Sequence, residues 1–73
     1  MTHQHSAIKV VNGIKRMSVH FYKNGQFQID VNQYDNEGYY SAGNSFTYLT
    51  GDDFYQTFEA YENLVKQFNL KEK

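Results

Sequence analysis

A chain of 73 residues, 40% hydrophobic and 21% charged with a formal net charge of -1, has room for one small domain and no second. With no cysteine, disulfides and thiolate zinc sites are excluded as supplements to a core that at this size seldom yields more than about 3–5 kcal/mol, so a homodimer or partner-protein surface is the supplement left to expect. No run approaches the ~18 apolar residues of a membrane span and no secretory signal opens the chain, so the expectation is a cytoplasmic protein without a membrane partner.

Residues 1–6 are polar and lack periodicity, which predicts a disordered tail ahead of a single domain over 7–68. A short apolar run over 7–11 ends at Asn12-Gly13, a dipeptide suited to a hairpin turn because both residues tolerate positive φ. Residues 14–22 alternate, with Met17, Val19 and Phe21 on one face and Arg16, Ser18, His20 and Tyr22 on the other. Residues 27–34 alternate too, with Phe27, Ile29 and Val31 against Gln28, Asp30 and Asn32. A two-residue Asn24-Gly25 loop would set each strand's apolar face opposite the other's polar one. A three-residue Lys23-Asn24-Gly25 loop, with Gly25 left-handed, pairs Phe21 with Phe27, Val19 with Ile29 and Met17 with Val31, and is the register expected.

Asp35-Asn36-Glu37-Gly38 reads as a turn, and residues 39–49 as a strand interrupted by a bulge or bend at Gly43-Asn44. Thr50 then predicts a helix N-cap accepting from the Asp53 amide, followed by a helix to about Phe68. The stripe Phe54, Phe58, Tyr61, Val65 and Phe68 supplies its buried side. Residues 69–73 read as a tail. The fold class is therefore α+β: an antiparallel sheet of about four strands with one C-terminal amphipathic helix packed on the Met17, Val19, Phe21, Phe27, Ile29 and Val31 face.

Charge is ordered along the chain: Lys9, Lys15, Arg16 and Lys23 occur before any acid, whereas residues 24–65 hold seven acids and no base. Such asymmetry points to a basic contact zone in the first third. Catalytic patterns are missing. The three histidines, His3, His5 and His20, form no metal-ligand spacing, the serines sit in no nucleophile elbow, and the scattered glycines make no phosphate loop. Met1-Thr2-His3 resembles an amino-terminal copper or nickel chelating motif, but trimming of Met1 would move the histidine out of third place. The expectation is no enzyme, no metal and no cofactor. What remains is a polar sheet face whose candidate contact residues are Lys9, Lys15, Arg16, His20, Tyr22, Lys23, Tyr34, Tyr39 and Tyr40. Exposed rings with flanking cations suit stacking of unpaired bases, and the same residue types suit a protein interface, so both readings stand.

The stretch from Arg16-Met17-Ser18-Val19-His20-Phe21-Tyr22-Lys23-Asn24-Gly25 through Phe27-Gln28-Ile29-Asp30-Val31-Asn32-Gln33-Tyr34 to the terminal helix resembles the positive cofactor four family of single-stranded-DNA-binding coactivators. The resemblance covers about residues 14–68 and implies dimeric modules that present curved sheets to unpaired nucleic acid, in the service of transcription or replication. It implies Arg16, Lys23 and Tyr34 near the strand path, with Tyr22 as a stacking ring. The chain departs from the family pattern at Asn32, where an arginine is expected, and at Ala42-Gly43-Asn44-Ser45, where a Gly-Lys-Lys-Gly loop is expected. Each departure removes a phosphate contact.

Overall fold

The structure is a computed structural model that describes residues 4–72, the side chains of 41–43 excepted; residues 1–3, with the chelating triplet, and Lys73 lie outside the described residues. Strands β1 (Gln4–Val11), β2 (Ile14–Asn24), β3 (Gln26–Tyr34) and β4 (Tyr40–Gly51) form an antiparallel meander, helix α1 (Phe54–Gln67) follows, and β5 (Lys71–Glu72) closes the chain. The sheet order is β4-β3-β2-β1-β5. The architecture is the expected α+β one, with five strands and one helix packed on one sheet face.

Both expected tails are corrected. From Gln4 to Ser6 the chain is strand, because alternation sends His5 into the core, with its ring 5.1 Å from Phe58, and Ser6 to the other face, where its Oγ shares a 2.8 Å hydrogen bond with His20 Nδ1. At the other end, Asn69 turns left-handed (φ 55), its N–H donates to Lys66 O at 3.3 Å, and the Leu70 N–H donates to Val65 O at 2.9 Å. That pair of bonds is a Schellman stop, which buries Leu70 beside Leu64 and brings Lys71 and Glu72 against Ile8 and Ala7 of β1.

The β2–β3 hairpin keeps the expected faces and corrects the expected pairs by two residues. Val19 is opposite Val31, Phe21 opposite Ile29 and Lys23 opposite Phe27, with Gly25 at the tip (φ 74). A shift of two preserves the side-chain period of a strand, so the apolar set stays inside under either register. The helix stripe is seated on it: Tyr61 and Leu64 are buried, and Phe54, Phe58, Val65 and Phe68 pack at its margin. Phe21 is the hub, fully buried, with the rings of His5, Phe27, Phe54, Phe58 and Tyr61 around it at centroid distances of 5.2–6.0 Å.

The N-cap is Asp53 and not Thr50. Strand β4 runs on through Thr50, opposite Gln28, to Gly51, opposite Phe27, so the helix starts later. Asp53 Oδ1 accepts from the amides of Tyr55 (2.8 Å) and Gln56 (3.3 Å). Gly51 permits this tight strand-to-helix corner, since a Cβ there would stand 2.8 Å from the Thr57 hydroxyl. The irregularity expected at Gly43-Asn44 falls where the surplus of β4 is taken up: Ser45 is opposite Asn32 while Tyr40 is opposite Tyr34. A second, unanticipated bulge at Tyr48 separates the Leu49–Ile29 pair from Thr47–Asp30.

Candidate nucleic-acid interface

With the helix on one side, the other face of the sheet has no element over it among the described residues. Even-numbered positions of β2 and β3 line it, because odd-numbered ones point to the core. The observed register sets Tyr22 opposite Gln28, His20 opposite Asp30 and Ser18 opposite Asn32. Those juxtapositions build a side-chain network centred on Asp30. The Asp30 carboxylate accepts from the Tyr22 hydroxyl (2.7 Å, Oδ2), from Gln28 Nε2 (2.8 Å, Oδ1) and from the Thr47 hydroxyl (3.1 Å, Oδ1). Gln28 Nε2 also donates to Tyr22 Oη at 2.6 Å. A second group is joined through the Ser18 hydroxyl, which is bonded to His20 Nε2 (3.4 Å), Tyr34 Oη (3.2 Å) and Asn32 Nδ2 (3.4 Å).

Burial would raise the Asp30 carboxyl, but the bonds from Gln28, Tyr22 and Thr47 and the charge of His20 outweigh it and hold the group below its ordinary 3.8. The same bond to Asp30, with burial and the carboxylate charge, pushes the Tyr22 phenol up to about 12. At neutral pH the face therefore carries a fixed carboxylate held by a neutral phenol. Beside it lies a shallow hollow of about 310 Å³, lined by Gln4, His20, Tyr22, Asp30 and Asn32.

The nine sequence-predicted residues divide between the two sides. His20, Tyr22 and Tyr34 lie on the uncovered face, and Tyr40 joins them opposite Tyr34, the rings meeting edge-on at 6.1 Å. Lys15 reaches the same region because Arg16 is the extra residue of a bulge against β1, which turns Lys15 away from the Met17 side and sets its ammonium 5.2 Å from the Tyr34 ring centre. Arg16 holds the adjoining β3–β4 turn through Asp35 O (3.2 Å) and Asn36 Oδ1 (3.3 Å). Tyr39 stands exposed in that turn, its amide donating to Asp35 Oδ1.

Lys9 and Lys23 do not belong to this face. Lys23 is opposite Phe27, with its ammonium 5.4 Å over that ring, and Lys9 is opposite Met17, in a hollow at the sheet end that it shares with Met17 and Phe68 and also with Arg16 and Tyr34. Both sit at odd positions of strands whose odd positions face the helix side, a signal present in the alternation itself. Sequence reasoning also passed over Gln4, Ser6, Gln28, Asp30, Asn32 and Thr47 as site residues. Gln28, Asp30 and Asn32 were legible from strand parity, whereas Gln4 and Ser6 were hidden in what read as a tail.

No family model, curated protein or solved structure matches this chain.

Proposed function

We propose that this domain is a non-enzymatic single-stranded nucleic-acid-binding module, acting as an accessory factor in replication or transcription as its family resemblance implies. The observation that carries this reading is the uncovered sheet face, where Tyr22, His20, Tyr34 and Tyr40 lie on neighbouring strands beside Lys15 and Arg16. Rings on an open sheet stack unpaired bases at about 1–3 kcal/mol each, and rim cations follow the phosphates. Two rim cations imply a shallow salt dependence, each contributing about 0.7 to the logarithmic slope on a single strand. Affinity of the isolated domain is accordingly weak, and a second copy or a partner protein extends the site.

Fluorescence anisotropy with unstructured oligonucleotides and matched duplex tests the reading. Single strands bind more tightly than duplex. Lys15→Ala and Arg16→Ala each lower affinity and flatten the salt slope, while Tyr34→Ala and Tyr40→Ala lower affinity with the slope intact. Lys23→Ala leaves binding unchanged, since its ammonium lies over Phe27 on the helix side. Absence of binding to any single strand at low salt refutes the proposal.

One observation favours a second reading, docking of a protein along β4. This edge strand contains no charged residue and no proline over residues 40–51, and it exposes Tyr40, Phe46, Tyr48 and Leu49. Charges and prolines are the usual guards of a sheet edge, so their absence leaves the β4 backbone open to strand addition by a partner. Failure of oligonucleotide binding together with concentration-dependent sedimentation supports this second reading.

A further inference from the structure

The two margins of the sheet are guarded unequally. At one, β5 is two residues long and both, Lys71 and Glu72, are charged. At the other, β4 runs for 12 residues from Tyr40 to Gly51 with neither a charge nor a proline, and among the described residues nothing pairs with its outer side. Its regular stretch is Ser45-Phe46-Thr47, opposite Asn32, Val31 and Asp30, set between the surplus residues ahead of Ser45 and the bulge at Tyr48. Cross-strand partners share a face, so Phe46 points to the helix side with Val31, while Ser45 and Thr47 point to the uncovered face with Asn32 and Asp30. Hydroxyl, ring, hydroxyl reads the same from either end. Phe46 is 51% exposed although it faces the helix side, and Tyr48 and Leu49 beside it are 48% and 39% exposed.

We infer that β4 is a self-pairing edge, at which two copies of this chain join antiparallel across a two-fold axis at Phe46. The inference rests on the open-edge reading of β4 above and names the occupant as a second copy. A two-fold contact has to be self-complementary, because each patch meets its own equivalent. About Phe46 the two phenyl rings lie side by side on the helix side, and Ser45 stands opposite the partner's Thr47, twice over, on the uncovered face. Ring pairs and Thr–Ser pairs both stabilise antiparallel strands, and an edge without charge brings no like charges together. A slip by one residue would set ring against hydroxyl. A slip by two would carry the Tyr48 bulge or the surplus ahead of Ser45 into the new ladder. A whole aromatic side chain buries about 150–250 Å², so the exposed parts of Phe46, Tyr48 and Leu49 come to roughly 250 Å² per copy. Even with the backbone strip added, the pair stays below the about 1,200 Å² of a stable complex, so the dimer is weak and reversible, with a Kd on the order of 10–100 µM. Pairing at this margin leaves the uncovered face open and continues it across the axis.

The test is sedimentation equilibrium of the native chain and of two axis variants, Phe46→Lys and Phe46→Glu, over about 5–500 µM. The native chain is expected to pass from monomer to dimer across that range. Each variant sets a charge against its own copy at the axis and is expected to dimerise at least ~10-fold more weakly, whereas an equal mixture of the two pairs opposite charges and recovers the native dimer. Phe46 is half exposed, so both variants keep the native circular dichroism, and Tyr55→Lys on the helix is a control that dimerises as the native chain does. A dimer that persists in both variants, or a mixture that fails to recover it, overturns the inference. Hydrogen exchange of the native chain separates that result from failure of the open edge itself. The amides of residues 44–48 that point away from β3 are expected to exchange fast at about 5 µM and to slow as concentration rises. A monomer at every concentration with those amides still fast overturns self-pairing and leaves the edge open to another strand. Slow exchange of all of them in the monomer overturns both.

Discussion

Phe21→Ala removes the ring on which three elements converge. Phe21 is 0% exposed and its neighbours come from β1 (His5), β3 (Phe27) and α1 (Phe54, Phe58, Tyr61). A buried Phe→Ala change costs about 3–5 kcal/mol, the larger values arising where the surroundings cannot collapse into the space. Here the gap is walled by rings anchored on separate elements, so the upper part of that range applies. At about 0.05–0.15 kcal/mol per residue, a chain of 73 residues has roughly 4–11 kcal/mol in all. The variant therefore loses about half of its stability or all of it. In urea, with a slope near 1 kcal/mol per molar for so small a domain, the midpoint followed by far-ultraviolet circular dichroism falls by about 3 M or more, or the protein is unfolded in buffer. Tyr55→Ala, at a ring that is 82% exposed, is the control and moves stability by no more than about 0.5 kcal/mol. A Phe21→Ala loss under about 1 kcal/mol would show that the helix does not pack on this sheet face.

Among the described residues the buried Tyr61 hydroxyl has no partner at hydrogen-bond distance, while burial, the charge and hydrogen-bonding approach of the Glu72 carboxylate, and the Glu62 charge push its phenol up to about 12. Tyr61→Phe removes that unsatisfied group and should stabilise the domain by about 1 kcal/mol, read as a raised melting temperature; a lowered one would reveal a bond to Glu72. Asp30 has a folded pKa below its unfolded value, so its contribution is present above 3.8 and is lost as pH falls through the folded value. The gap in melting temperature between the native protein and Asp30→Asn should thus be open at neutral pH and close below 3.8, and a gap independent of pH would remove Asp30 from the ionised network. Tyr22 has the opposite sign: its raised value makes the stabilisation complete below 10.0 and lost as pH rises toward about 12.

Local pattern alone determined the strands over residues 14–34, the apolar face they share and the helical stripe from Phe54 to Phe68, because a two-residue or near-four-residue period is written in consecutive side chains. It also held the information that Lys9 and Lys23 face the helix side, although their nearness in sequence to Lys15 and Arg16 grouped them with the contact residues. Register was beyond it. A two-residue slip of β2 on β3 preserves every inward and outward side chain, and only packing among Phe21, Phe27 and the helix rings selects the observed pairs. That choice sets Asp30 across from His20 and beside Tyr22, so the network at the candidate site is a tertiary product. The ends of the domain were settled in the same way. Gln4 to Ser6 and Lys71-Glu72 have no strand pattern of their own, and they become strands because β2 offers β1 a partner edge and the Asn69 turn delivers Leu70 to the core. Local preference is short-ranged, whereas a strand's existence at a sheet margin depends on a neighbour far away in sequence.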